Sequence, residues 1–152
     1  MSRTTQNSKR IHAPAEKIFK ALTDPQGLET WQVPGDMTGK VHQHDLREGG
    51  RYTMSLFYPQ GEENHGKTSG GEDRFTAIFE KLDAPHKIIE RVKFDTEAAA
   101  FSEEMIMEIT LEPLGDETNV TFQFRNIPEG ISLEDNEKGT ISSLEKLARY
   151  VA

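Results

Sequence analysis

No cysteine occurs in the chain, which removes disulfides, thiolate metal ligands and a cysteine nucleophile from consideration. Positive charge is also scarce. The 18 Lys and Arg residues stand against 26 Asp and Glu, for a formal net charge of -8 and a pI near 5.1. A nucleic-acid partner is therefore not expected, because the overall field repels a phosphate backbone and the basic residues gather only at Arg3, Lys9 and Arg10. No run approaches the ~18 apolar residues of a membrane span, so no membrane insertion is expected. The opening stretch MSRTTQNSKR has no apolar core of a secretory signal, and a cytoplasmic address is the expectation.

What is present is pattern. Hydrophobic residues make up 34% and charged residues 29% of 152 positions, too apolar and too regular for a disordered segment. A chain of this size buries roughly 70% of its unfolded surface on folding, enough for one core. Residues 1–8 read as a flexible polar tail and residues 9–152 as one domain.

Arg10 to His12 reads as the end of a first strand. Ala13-Pro14 then announces a helix, since proline suits a first turn, and Ala15, Ile18, Phe19 and Leu22 follow at helical spacing. Asp24 caps a second short helix beginning at Pro25, with Leu28 and Trp31 on one face; Gly27 weakens it by up to ~1 kcal/mol on propensity alone. From Thr38 the period changes to two, and glycine, proline and aspartate punctuate six further strands near 39–46, 50–58, 72–83, 87–95, 103–114 and 117–127. The short links favour an antiparallel meander.

Several strands alternate cleanly. Tyr52, Met54 and Leu56 share a face, as do Ile88, Glu90, Val92 and Phe94, then Met105, Met107, Ile109 and Leu111, then Val120, Phe122 and Phe124. The dry face needs a cover, and the segment from Leu133 supplies one long amphipathic helix with Leu144, Leu147, Ala148 and Val151 at spacings of three and four. The fold class is α+β, a curved antiparallel sheet of about seven strands around a long C-terminal helix, with a helical hairpin between the first two strands.

The order and spacing of several short motifs carry a resemblance. They are Arg10-Ile11-His12-Ala13-Pro14, Ala21-Leu22-Thr23-Asp24-Pro25, Trp31 with Pro34, Asp45-Leu46-Arg47-Glu48-Gly49-Gly50, and the ending Gly139 with Ser143-Leu144-Glu145-Lys146-Leu147-Ala148-Arg149-Tyr150. Through them nearly the whole chain resembles the family named after the activator of the heat-shock chaperone ATPase, within the START-like and birch-pollen-allergen-like superfamily. The resemblance implies the helix-grip fold and a pocket between the sheet and the last helix. Relatives in the superfamily bind lipids, sterols, polyketides and plant hormones, and some act as cyclases or hydrolases. The motifs themselves are architectural: Asp45 to Gly50 supplies a charged tight turn with two glycines able to take positive φ. The family typically carries tryptophan directly after the glycine of the last helix, whereas Thr140 stands here. Where that position faces inward, the cavity gains room and a hydroxyl.

The constellations that bear chemistry each admit a plainer reading. Met105, Met107 and Ile109 offer soft walls for guests of varied shape, or ordinary core. Glu90 in phase with apolar neighbours points a carboxylate inward, where desolvation raises its pKa and suits it to anchor a ligand or donate a proton. A strand bulge, or pairing with Arg51 or Arg125, is the plainer explanation. His42 and His44 share a strand face and could offer two imidazoles to a metal completed by Asp45 or His65, or be two surface histidines. Gly61 to Thr68 matches the GxxxxGK[ST] phosphate loop, but between antiparallel strands it lacks the helix N-terminus that receives the anion. Trp31 either stacks on a ligand at the cavity mouth or anchors the hairpin. Glu134, Asp135 and Glu137 form the acidic first turn of the last helix.

The leading expectation is a binder of a small hydrophobic molecule, with no cofactor and no metal. Its walls would be Trp31, Tyr52, Met54, Leu56, Glu90, Val92, Met105, Met107, Ile109, Phe122 and Phe124, and its lid Thr140, Leu144 and Leu147. A co-chaperone or interaction module with a chaperone or homodimer partner is one alternative, predicting a filled interior and a large exposed apolar patch. A cyclase- or hydrolase-type enzyme is another, requiring Glu90 or a histidine in the pocket with a strongly shifted pKa.

Overall fold

Strand breaks fall where the glycine and proline punctuation puts them. The computed structural model describes residues 3–33, 35–59, 71–96 and 98–152. Among these lie β1 (Thr5–Ile11), α1 (Ala15–Thr23), α2 (Pro25–Trp31), β2 (Thr38–His44), β3 (Arg51–Phe57), β4 (Glu72–Asp83), β5 (Lys87–Phe94), β6 (Met105–Leu114), β7 (Glu117–Arg125) and α3 (Leu133–Val151). The phosphate-loop match and His65 lie outside the described residues, as does Pro34.

The strands form one antiparallel sheet in the order β1-β7-β6-β5-β4-β3-β2. Consecutive pairing from β2 to β7 is the expected meander, and β1 joins it from the far end of the sequence, with Thr5 opposite Phe124 and Ile11 opposite Thr118. The first strand therefore starts at Thr5, and the expected boundary of the N-terminal tail at residue 8 falls inside β1. Its register with β7 is what orders residues 5–8.

The helical hairpin is built around one carbonyl. Asp24 ends α1 and caps α2, its carboxylate accepting the Gln26 N–H at 2.8 Å, with Pro25 at the first helical position. Trp31 Nε1 donates to Ala21 O at 2.9 Å. A Cβ on Gly27 would stand 2.1 Å from the same oxygen, so the residue that weakens α2 on propensity is the one that lets α1 and α2 close on each other. The Asp45–Gly50 turn divides its two glycines differently from expectation. Gly49 takes φ +83, whereas Gly50 is needed because a Cβ there would lie 2.2 Å from Asp45 O.

α3 follows the sequence pattern closely. Ser132 caps it by accepting the Asp135 N–H at 2.9 Å, Glu134 and Asp135 face the positive end of its dipole, and Arg149 sits in its last turn. Ser132→Ala should lower stability by about 1 kcal/mol, readable as a drop in the urea midpoint at constant slope. The helix packs on α2, β1 and α1, burying Thr140, Ser143, Leu144, Leu147 and Val151. Among the described residues no helix is long and apolar enough to cross a membrane.

Candidate functional site

Between the concave face of the sheet and the N-terminal half of α3 lies a cavity of about 340 Å³. Alternation along the strands supplies its apolar wall: Leu56 from β3, Phe75 from β4, Val92 and Phe94 from β5, Met105 and Met107 from β6, with Phe122 and Phe124 from β7. Trp31 closes one side, buried to 1% exposure and meeting Phe122 edge-on with ring centroids 5.5 Å apart. The indole thus both anchors the hairpin and faces the cavity. Asp135, Asn136, Gly139, Thr140 and Ser143 form the α3 side.

Eight of the residues expected at the site line this cavity: Trp31, Leu56, Val92, Met105, Met107, Phe122, Phe124 and Thr140. Tyr52, Met54, Glu90, Ile109, Leu144 and Leu147 do not; all are buried in the core. They occupy the right faces, and Met54, Glu90 and Ile109 stand opposite the lining residues Phe75, Met107 and Phe122 in the sheet, so strand register alone does not separate wall from core. Thr140, at 5% exposure, faces the cavity, and its hydroxyl donates to Asn136 O at 2.8 Å. A small polar side chain therefore occupies this stretch of the wall.

Other lining residues escaped the sequence pattern. Met37 precedes β2 and Ile131 follows β7, outside any periodic segment. Gln32 is the C-cap of α2. Asp73 had a readable signal, since it is in phase with Phe75, Ala77 and Phe79 on the buried face of β4. It is 1% exposed and accepts the Tyr58 hydroxyl at 2.8 Å. Burial, that hydrogen bond and the Asp73 charge hold the Tyr58 hydroxyl well above the usual phenol range.

Glu90 points inward as its phase requires and is fully buried. Neither proposed arginine meets it: Arg125 reaches Glu108 at 3.0 Å, and Arg51 is exposed. Its partner is Tyr52, whose hydroxyl lies 2.8 Å from Glu90 Oε1 and 3.0 Å from Gln32 Oε1. One phenolic proton cannot serve both acceptors. A protonated Glu90 resolves the conflict by donating to Tyr52, which then donates to Gln32. Burial supports that state, pushing Glu90 up to about 8 against the smaller opposing effect of the Tyr52 bond. Burial first, then the Glu90 charge and hydrogen bond, raise Tyr52 as well. Glu90 Oε2 is buried without a hydrogen-bond partner, a cost that is smaller for a neutral acid than for an anion. The shifted carboxyl that an enzyme would need is present, but behind Tyr52 and off the cavity wall.

The two histidines do not converge. A bulge falls between Val41 and Gln43. His42 Nε2 meets Ser55 Oγ at 2.8 Å, and His44 Nε2 meets Thr23 O at 2.7 Å beside Tyr52 and Phe79. Ser55 donates its only proton to Glu72, so His42 must donate to it. Both Nε2 atoms are then protonated donors, unable to ligate a metal, and among the described residues no metal-binding cluster occurs. The same proton count stops His42 from acting as a base toward Ser55, which is in any case fully buried.

Comparison with known proteins adds a lineage to this geometry. The family model described as Activator of Hsp90 ATPase homolog 1-like protein matches residues 12–152. A search of curated proteins returns no match. Among solved structures, a Chromobacterium violaceum protein is similar with TM-score 0.87 at 29% identity, over 97% of this chain and 96% of that one. A Staphylococcus epidermidis protein aligns with TM-score 0.77 at 21% identity, over 97% and 88%. An Arthrobacter aurescens protein aligns with TM-score 0.75 at 19% identity, over 97% and 85%. At those last two identities the likeness is one of fold.

Proposed function

Starting from the fact that this chain belongs to the Activator of Hsp90 ATPase homolog 1-like family and has the helix-grip fold, we propose that it binds a hydrophobic or amphipathic small molecule in the cavity between the sheet and α3. The observation that carries this reading is the cavity itself. Its 340 Å³ falls in the range of about 300–1,000 Å³ common for small-ligand sites. Its wall is largely apolar, with phenylalanine and methionine prominent, and polar groups reach it from α2, from α3 and, through Tyr58 and Asp73, from the sheet, a composition that suits a site that grips by shape and orients by hydrogen bonds.

The interaction-module reading asks for a filled interior and one large exposed apolar patch. Among the described residues the exposed large apolar side chains are Leu46, Leu114, Leu133, Ile141 and Tyr150, drawn from the β2–β3 link, the end of β6 and α3. These observations favour the cavity.

The test is native mass spectrometry of the protein as purified and after incubation with Nile red, an uncharged apolar dye. Wild type is expected to carry or take up one small molecule. Thr140→Trp, which puts a ring into the cavity, is expected to weaken uptake by roughly tenfold or more while keeping a cooperative melt by circular dichroism. A folded Thr140→Trp that binds as well as wild type would count against the cavity as the site.

A further inference from the structure

Resting on the binding reading above, we propose that Gln32 and Ser143 form a polar seat in the cavity, which holds its guest by a carbonyl-type oxygen, that of a ketone, an ester or a carboxylate. Both residues line the cavity. Ser143 is only 7% exposed, and its hydroxyl has no hydrogen-bond partner among the described residues. A hydroxyl buried on a helix commonly returns its proton to the carbonyl four residues back, as Thr140 does to Asn136 O at 2.8 Å. Ser143 makes no such bond, and its Oγ is not sealed in the core as Glu90 Oε2 is. It opens on the cavity with a proton to give.

Gln32 adds donors of fixed direction. Its Oε1 accepts the Tyr52 hydroxyl at 3.0 Å, which orients the amide and leaves its N–H groups without a partner among the described residues. That orientation depends on the neutral Glu90 behind Tyr52, since an ionised Glu90 would take the phenolic proton for itself. The two residues come from different helices, and contacts just beyond each fasten them together. Gly35 N donates to Ser142 Oγ at 3.2 Å, while Lys146 Nζ donates to Gly35 O at 2.6 Å and to Val33 O. The end of α2 is thereby tied to α3 on either side of Ser143. Asn136 also lines the cavity with free amide donors, because its Oδ1 accepts from Thr5. At a rise of about 1.5 Å per residue it stands roughly 10 Å from Ser143 along the helix axis, too far to share one oxygen. A carbonyl oxygen has two lone pairs and no proton to place, so it can take the Gln32 N–H and the Ser143 O–H together.

The experiment titrates wild type, Ser143→Ala and Gln32→Met at neutral pH with methyl hexyl ketone, octanoate and butylbenzene, the last of which has no oxygen. The readout is the emission of Trp31, the only tryptophan in the chain and part of the cavity wall. Each substitution is expected to weaken the binding of at least one oxygen-bearing probe roughly five- to tenfold, the scale of one lost hydrogen bond, while butylbenzene binds all three proteins alike. Weakening of the ketone alone marks a neutral guest and of octanoate alone an anionic one, and either supports the seat. Ser143→Ala, which suits a helix, carries the test by itself if Gln32→Met fails to fold. Unchanged binding of both oxygen-bearing probes in the folded variants overturns the seat, as does an equal loss for butylbenzene, which would mean lost packing. Wild type that takes up butylbenzene and neither of the others also overturns the seat and leaves the binding reading standing. Binding of none of the three overturns the binding reading itself.

Discussion

Replacing Glu90 by glutamine flattens the pH dependence of stability and makes the variant more stable than wild type in mild alkali. Folding holds the Glu90 proton, because burial raises the carboxyl from its ordinary value of 4.5 to about 8. The unfolded chain releases that proton near the ordinary value, so between these limits the native state binds more protons and stability falls as pH rises. Below about pH 4.5 both states are protonated and Glu90 imposes no penalty. Above about pH 8 the fold must bury a carboxylate with one oxygen unpartnered, and the loss is complete. Each tenfold change in proton affinity is worth about 1.4 kcal/mol, so the loss amounts to several kcal/mol, a large share of a typical domain's stability. Glutamine keeps the shape and can donate through its amide to Tyr52 without titrating. Urea midpoints at pH 5, 7 and 9 should therefore coincide at the acid end and separate progressively, with Glu90→Gln the higher at pH 9. Parallel profiles would mean that Glu90 is not held neutral.

Gly27→Ala should destabilise by about 2–3 kcal/mol, against the sign that helix propensity assigns. In an exposed helix interior the change gains up to ~1 kcal/mol. Here the new methyl would stand 2.1 Å from Ala21 O and 2.9 Å from its carbonyl carbon, both backbone atoms that cannot swing aside, and overpacking of this kind costs about 1–3 kcal/mol. The same oxygen receives the Trp31 indole N–H, so separating the helices also stretches that bond and tilts a wall of the cavity. Thermal melts measure the stability loss, and a change in Trp31 emission in the still-folded fraction reports the displacement. A stabilised Gly27→Ala would show that the two helices are not in close contact.

The sequence disclosed which way side chains point better than how far along an element they sit. Period two in β3, β5, β6 and β7 placed Tyr52, Val92, Met107 and Phe122 on one face, and every one is buried there. The division of that face into solid core and open cavity depends on where α1, α2 and α3 touch the sheet, a long-range outcome that periodicity does not encode. Hence Ile109 and Leu144 share stripes with cavity residues yet are buried in the solid core. Glu90 was legible as inward, but its partner was not. Tyr52 and Glu90 stand on strands separated by β4, where Ala77 is opposite both Tyr52 and Val92. Their meeting depends on side chains crossing an intervening strand. Asp73 went unread because a charged residue near the start of a strand, next to a glycine-rich stretch, resembles the end of a loop. Met37, Gln32 and Ile131 enter the cavity from connections, where no repeat predicts direction.

The pairing of β1 with β7 also sets an order of events during synthesis. The hairpins from β2 to β7 join neighbours in sequence and can zip as they leave the ribosome. β1, made first, has no other strand partner among the described residues and must wait until Thr118 to Phe124 have emerged. Even then the concave face stays open until α3 arrives to cover it. Until α3 emerges the nascent chain therefore displays the aromatic lining of its future cavity, and until β7 emerges an uncovered sheet edge, the two surfaces on which a holdase would act.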